Sequence, residues 1–176
     1  MTKRTRSVAC SIARVAGGTI LATLAVIGFG APWLASLDAH LPFRFTTDLA
    51  WLGWLILLAA FALIVSAEFS FVQFGGATGT PNDPPRSLVA RGPYRWLRNP
   101  LYVSGIATIL GVALALGSAT VLLLATIAAP LFHLFIVFFE EPRLERRFGE
   151  DYRAYQRRVP RWIPRMRSNQ VNSSSR

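Results

Sequence analysis

The sequence predicts an all-α integral membrane protein: four transmembrane helices followed by a C-terminal amphipathic cytoplasmic helix. Three observations carry this. Hydrophobic residues make up 52% of the chain and charged residues 16%, too apolar for a soluble domain of 176 residues. The apolar residues fall in runs near the length needed to cross a ~30 Å hydrocarbon core. The formal net charge of +10 is concentrated between and after those runs, as expected of segments held on one side of a membrane. That placement argues against nucleic-acid binding, the other common use of such basicity, because the cations flank apolar spans and do not form a soluble face. Cys10 is the only cysteine, so neither a disulfide framework nor a cysteine metal cluster is expected.

Residues 1–14 form a basic cytoplasmic N-terminus carrying Lys3, Arg4, Arg6 and Arg14. The first span runs from Val15 to about Ala35. It is long for a signal-peptide core, and Pro32-Trp33 stands where small residues would lead to a cleavage site, so a retained helix is expected. A short loop with Asp38, His40, Pro42 and Arg44 follows. The second span covers about Leu49 to Val72, with Trp51 and Trp54 at its start as interfacial anchors and Glu68 about one turn from its end. An ionisable group inside a span is a functional candidate unless it reaches water at the interface. Residues 1–14 and these two helices (15–73) precede a core unit, 74–165, and a disordered tail, 166–176.

The core unit begins with GGATGTPNDPPRS, a Gly- and Pro-rich loop. Then comes GPYRWLRNPLY, Gly92 to Tyr102, which is basic, rich in hydrogen-bond donors and bounded by two turn signals, Gly92-Pro93 and Asn99-Pro100. It leads into a third span, Leu101 to Leu116. Gly117-Ser118 leaves room only for a tight turn before the fourth span, Ala119 to Phe139, so spans three and four form an antiparallel hairpin. Gly105 and Gly111 are expected to let neighbouring helices approach closely. Basic residues in the N-terminus, the 75–99 region and the tail, against one arginine in the 36–47 loop, place both termini in the cytoplasm; the inner membrane of a bacterium is the expected location.

The fourth span ends in Glu140-Glu141-Pro142. The pair either caps a following helix, since acids and proline suit a first turn, or offers a carboxylate to a ligand. His133 lies on the Glu140 face two turns earlier, where a lone histidine is more often packed against a polar partner than catalytic. Beyond Pro142, Leu144, Phe148, Tyr152, Tyr155 and Val159 recur every three or four residues among charges, the pattern of an amphipathic helix lying on a membrane surface. Gly149 is its weak point.

Taken in order, Arg86-Ser87-Leu88-Val89, Gly92-Pro93-Tyr94, Arg98-Asn99-Pro100-Leu101-Tyr102 and Glu140-Glu141 followed by FGEDYRAYQRRVPRWIP resemble the isoprenylcysteine carboxyl methyltransferase family and, more distantly, the phospholipid N-methyltransferases. The resemblance covers residues 79–165. It implies a membrane-embedded methyltransferase that uses S-adenosylmethionine, bound on the cytoplasmic side, and acts on a lipid-like or prenylcysteine-like acceptor, with the bilayer as its other partner and no metal. It further implies that Arg86, Ser87, Leu88, Val89, Tyr94, Asn99, Pro100, Leu101, Tyr102, Glu140 and Glu141 form the cofactor site. Asn99 stands where many members have histidine; an amide still donates and accepts hydrogen bonds but does not act as acid or base near neutral pH. Ile136 stands where eukaryotic prenylcysteine enzymes carry a substrate-binding arginine, and Arg95 or Arg143 are the replacements within reach. Two other classes fit the composition: an NADPH-dependent membrane reductase of a lipid, which lacks a Gly-rich dinucleotide fingerprint here, and a non-catalytic membrane scaffold.

Overall fold

The computed structural model describes residues 25–40, 47–76 and 86–164. Every regular element among them is helical. Helix α1 is Ala31–Ser36, preceded by a π turn at Val26–Gly30; α2 is Ala50–Ser70, α3 Pro100–Leu116 and α4 Ala119–Phe135. Helix α5, Glu141–Phe148, continues α4 through a π turn at Ile136–Glu140, and α6 is Glu150–Arg158. The basic N-terminus, most of the first predicted span, part of the 75–87 loop and the tail lie outside the described residues.

Two helical stretches, Ala50–Gly75 and Ala119–Phe148, are long and apolar enough to cross a membrane; α3 is apolar but shorter. Only 28% and 17% of their apolar windows are buried, which separates them from the core helices of soluble proteins. The outward faces consist of Trp51, Trp54, Leu55 and Leu58 on α2 and of Leu123, Leu131, Leu134 and Phe138 along α4 and its extension. So continuous an exposed apolar surface marks a face that contacts lipid or another apolar partner.

Helices α2 and α3 pack by far the most intimately. Their backbones meet at Gly53 and Gly111: a Cβ on Gly53 would collide with the Ala115 amide and the Gly111 carbonyl, and one on Gly111 would stand 2.9 Å from Leu57 Cγ. Small residues at the crossing are what lets helices approach in lipid, where packing has to replace the hydrophobic effect. The expectation for Gly111 matches this contact. Gly105 does not take part, since a Cβ there meets nothing within 4 Å.

The α3–α4 hairpin turns where the sequence predicts. Gly117 is left-handed (φ 62°). Its N–H bonds the Leu114 carbonyl, and the Ser118 N–H reaches back to Ala113 at 2.9 Å, the paired closure of a helix C-terminus. The Ser118 hydroxyl then accepts from the Val121 N–H at 3.2 Å and opens α4. A carboxylate from the far side of α1 completes this end: Asp38 accepts from the Thr120 N–H at 2.8 Å and its hydroxyl at 2.6 Å.

The C-terminal region differs from the single amphipathic helix expected. Gly149, at φ 55° and ψ −129°, breaks it into α5 and α6, because that conformation is open to glycine and strained for other residues. Tyr152, Tyr155 and Val159 form a small core with Leu88, Leu144 and Phe148.

Candidate functional site

The antiparallel hairpin returns α4 to the end of the bundle where α3 starts. The residues just before α3 are shaped by Gly92 (φ 59°), where a Cβ would run into the Ser70 hydroxyl. The short 3₁₀ turn Gly92–Arg95 follows and buries Tyr94 against Phe71, their rings edge-on at 5.0 Å. Asn99 and Pro100 then start α3, with proline at a first-turn position where its missing N–H costs nothing.

Across from them, the chain meets a conflict between α4 and Pro142. Proline inside a helix lacks an N–H and its ring crowds the carbonyl four residues back. The π turn Ile136–Glu140, closed by the Glu141 N–H on the Ile136 carbonyl, widens the helix there. Such turns recur at functional sites because they re-aim one side chain. Here the chain leaves the turn with Glu140 facing the gap and Glu141 facing away from it.

The gap is a cavity of about 360 Å³, within the range of small-molecule sites. Of the residues singled out from the sequence, Leu88, Val89, Tyr94, Asn99, Pro100, Leu101, Tyr102, Glu140 and Arg143 line it. Arg86, Ser87, Arg95 and Glu141 do not. The Arg86 N–H bonds the Gly75 carbonyl at 2.9 Å and the Ser87 hydroxyl donates to the Phe74 carbonyl at 2.7 Å, so both fasten the strap entering the site to the π turn Phe71–Gly75 that follows α2. Arg95 is exposed and lies over the Trp96 ring. Glu141 is buried and takes Arg161 in a two-pronged ion pair, 2.8 Å at each oxygen, and Arg98 Nη1 at 2.9 Å. It therefore caps no helix start; the helix runs through it. Ile136, where an arginine would meet an acceptor carboxylate, is completely buried.

The sequence reading missed Phe71, Phe135, Phe139 and Arg147 as lining residues, and also Arg98. Arg98 lies inside the recognised motif, so its signal was available; the phenylalanines look like any lipid-facing residue until the hairpin is closed. Tyr152 and Tyr155 come up beneath the cavity, and the Tyr155 hydroxyl donates to the Tyr94 carbonyl at 2.7 Å. His133 does not reach the cavity. Its Nδ1 accepts from the Trp162 indole N–H at 3.1 Å.

The electrostatics of the site are unusual in what they leave unused. The Tyr94 hydroxyl, the Asn99 amide nitrogen, Arg98 Nε and one Glu140 oxygen are all buried without a hydrogen-bond partner among the described residues. Asn99 occupies the helix N-cap position, yet its side chain makes no cap hydrogen bond. Buried polar atoms are rarely left unsatisfied; four on one cavity mark a place where a polar ligand completes the set. The Tyr102 phenol stands beside the Glu140 carboxylate. Burial, followed by the nearby Tyr155, Glu140 and Glu68, pushes the Tyr94 hydroxyl well above its ordinary range, so it is a neutral donor at physiological pH.

Fold and site together define a helical membrane protein with a largely aromatic and apolar small-molecule cavity, set with a few polar side chains, at one end of its bundle. The phospholipid methyltransferase family profile matches residues 49–151, more than half of the chain and all of this architecture from the start of α2 into α6. The chain belongs to that family. It is similar to the phosphatidylethanolamine N-methyltransferases of Pyrenophora tritici-repentis (40% identical over 72 residues, 40% of this chain and 8% of the relative) and Phaeosphaeria nodorum (40% over 73 residues, 41% and 8%). It is also similar to the nickel-cobalt-cadmium resistance protein NccN of Alcaligenes xylosoxydans xylosoxydans, at 34% over 79 residues, 45% of this chain and 37% of that one. The chain thus spans less than a tenth of the two fungal proteins. Among solved structures, its fold is similar to that of the eukaryotic intramembrane Ras methyltransferase, isoprenylcysteine carboxyl methyltransferase, with a TM-score of 0.56 at 20% identity over 79% of this chain and 51% of that one. Family and apolar helices agree on an integral membrane protein.

Proposed function

We propose that the chain is a membrane-embedded methyltransferase that binds S-adenosylmethionine at the end of the α3–α4 hairpin and methylates a lipid-like acceptor. The observation that carries this reading is the set of four buried polar atoms, unpartnered among the described residues, on one cavity with an aromatic wall. The donor set suits the cofactor. A carboxylate at Glu140 accepts a pair of hydroxyls, as a ribose presents, in charge-assisted hydrogen bonds. The Asn99 amide and the Tyr94 hydroxyl meet polar ring or amine groups, and Tyr102, Phe135 and Phe139 offer ring faces to a sulfonium cation. When bound, the cofactor supplies a methyl group activated on positively charged sulfur.

The task left to the protein is alignment and exclusion of water. Asn99 and Glu140 fix the ligand from opposite sides of the hairpin. Tyr152 and Tyr155 close the cavity from below. Phe135 and Phe139 line the cavity while remaining 49% and 66% exposed on the lipid-facing surface, so the acceptor side opens towards the hydrocarbon. The relatives named as phosphatidylethanolamine N-methyltransferases favour a phospholipid amine over a prenylcysteine carboxylate, and the buried Ile136 argues the same way. Residues 74–165, joined by Phe71, carry this site, with both termini and the cavity on the cytoplasmic face.

Calorimetric titration of S-adenosylmethionine into the detergent-solubilised protein tests the reading. Wild type should bind, and Glu140→Gln should weaken binding about ten- to a hundredfold, the usual worth of hydrogen bonds to a charged group. No binding by wild type would overturn the assignment.

A further inference from the structure

Four residues on one wall of the cavity stand a turn apart on a single rod of helix. Phe135 ends α4, Phe139 lies in the π turn, and Arg143 and Arg147 follow on α5. Residues four apart share a helix face, and all four keep to the cavity across the widened turn. The first half of this stripe is apolar and open to lipid; the second half is cationic, with both arginines exposed. From Phe135 to Arg147 the stripe is about 18 Å long at 1.5 Å per residue. Rings facing hydrocarbon, then paired cations past the end of the apolar span, follow the order in which a phospholipid presents its chains and its phosphate.

The glutamates of α5 and α6 leave these two arginines unpaired. Glu141 is taken by Arg98 and Arg161, an ion triad that faces away from the cavity; Glu145 is taken by Arg153, and Glu150 by Arg157 and Arg153. Arg143 lies within electrostatic reach of Glu140, and Arg147 rests over the Phe148 ring, its Cζ 5.6 Å from the ring centre. Like charges one turn apart oppose each other. A phosphate set between them relieves that repulsion and accepts from both guanidinium groups, whose planar forks match its oxygens.

We infer that Arg143 and Arg147 form a phosphate clamp at the mouth of the cavity, selecting an acceptor lipid whose phosphate lies beside the group to be methylated. This rests on the methyltransferase reading above and gives its acceptor side a charge requirement. Phe135 and Phe139 guide the chains, the clamp stops the phosphate at the end of the stripe, and a headgroup amine on a short arm reaches back into the cavity. In such a lipid the held charge and the attacking atom are separate groups, so two guanidinium groups grip the first without blunting the second.

Calorimetry in an uncharged detergent tests this, with dihexanoyl phosphatidylethanolamine as the probe and S-adenosylhomocysteine as the control ligand. Arg143→Gln/Arg147→Gln should weaken the phospholipid at least tenfold, the usual loss for hydrogen bonds to a charged group. S-adenosylhomocysteine should stay within about twofold of wild type, reporting an intact cavity. Arg146→Gln/Arg158→Gln removes the same charge from exposed positions that do not line the cavity and should leave both ligands unchanged. Equal weakening of the phospholipid by the two double variants would mean a general attraction of the basic surface for lipid, and would overturn the clamp. So would unchanged phospholipid binding in Arg143→Gln/Arg147→Gln, a parallel loss of S-adenosylhomocysteine, or a preference of wild type for N-acetyl farnesylcysteine, whose head is a carboxylate. If wild type takes no S-adenosylhomocysteine, the cofactor reading fails by itself; the two double variants still decide the clamp, with the thermal midpoint as the measure of an intact fold.

Discussion

The two ends of the helical bundle use the same kinds of residue in opposite ways. At the Ser118 end, polar side chains are spent on the fold: Ser118 caps α4, and Asp38 takes both the amide and the hydroxyl of Thr120. At the Asn99 end, an asparagine stands at the equivalent helix start with its side chain uncommitted, and three further polar atoms around it are buried without partners among the described residues. A cap is worth about 1 kcal/mol, and an unsatisfied buried group costs about 1–3 kcal/mol. The second end therefore gives up stability that the first end collects. Natural proteins accept such losses where a ligand restores them.

The largest expected effect breaks the support under the site. Glu141→Ala leaves two arginines facing each other, one of them buried, and should destabilise the protein by about 3–5 kcal/mol, read as a drop in thermal midpoint in detergent. An unchanged midpoint would mean that the triad is looser than its distances imply. Glu140→Gln should do the reverse, lowering cofactor affinity by about 1.5–3 kcal/mol at nearly unchanged midpoint. If it instead unfolds the protein, Glu140 belongs with the structural carboxylates and the contrast between neighbours disappears. Asp38→Ala, at the other end, should cost about 1 kcal/mol of stability with no change in ligand affinity; altered binding would show that the two ends are coupled.

The smallest effect concerns pH. Burial pushes the Tyr152 hydroxyl up to about 12, and Tyr155 higher still for the same first cause. The folded protein thus favours the protonated phenols. Their contribution is intact below the unfolded value of about 10 and is lost as pH rises through the folded values. Alkaline titration should show phenolate absorbance appearing together with loosening of α6. Tyr155→Phe, which removes one phenol and its hydrogen bond to the Tyr94 carbonyl, should lower stability by about 1 kcal/mol at neutral pH and reduce that alkaline change. Phenolate appearing near pH 10 in the folded protein would place these tyrosines in solvent.

What the sequence revealed follows from the range of the forces involved. The α3–α4 hairpin was readable because its determinants, Gly117 and Ser118, are adjacent residues with fixed conformational meaning. The lining role of Tyr94, Asn99, Tyr102 and Glu140 followed from an ordered motif. The crossing of α2 and α3 was half readable: Gly111 was chosen and Gly53 was not, because a glycine on an apolar helix gives no sign of which face meets a neighbour. Arg98, Glu141 and Arg161 are far apart along the chain, and ion pairs at such separations leave no local pattern. The break at Gly149 was visible as a weakness, yet only the fold shows that α5 and α6 need it to bend beneath the cavity.

The π turn before Pro142 acts as a phase shift. Successive residues of a regular helix point about 100° apart, so neighbouring carboxylates have to diverge, and the widened turn sets the angle at which that divergence begins. The identity of the cavity-facing acid is thus stored as backbone register upstream of it, in the five residues Ile136–Glu140. Either glutamate has the chemistry to hold a ligand. Which one does so is set in the turn before Pro142, a residue that follows directly on Glu141 and does not itself line the cavity.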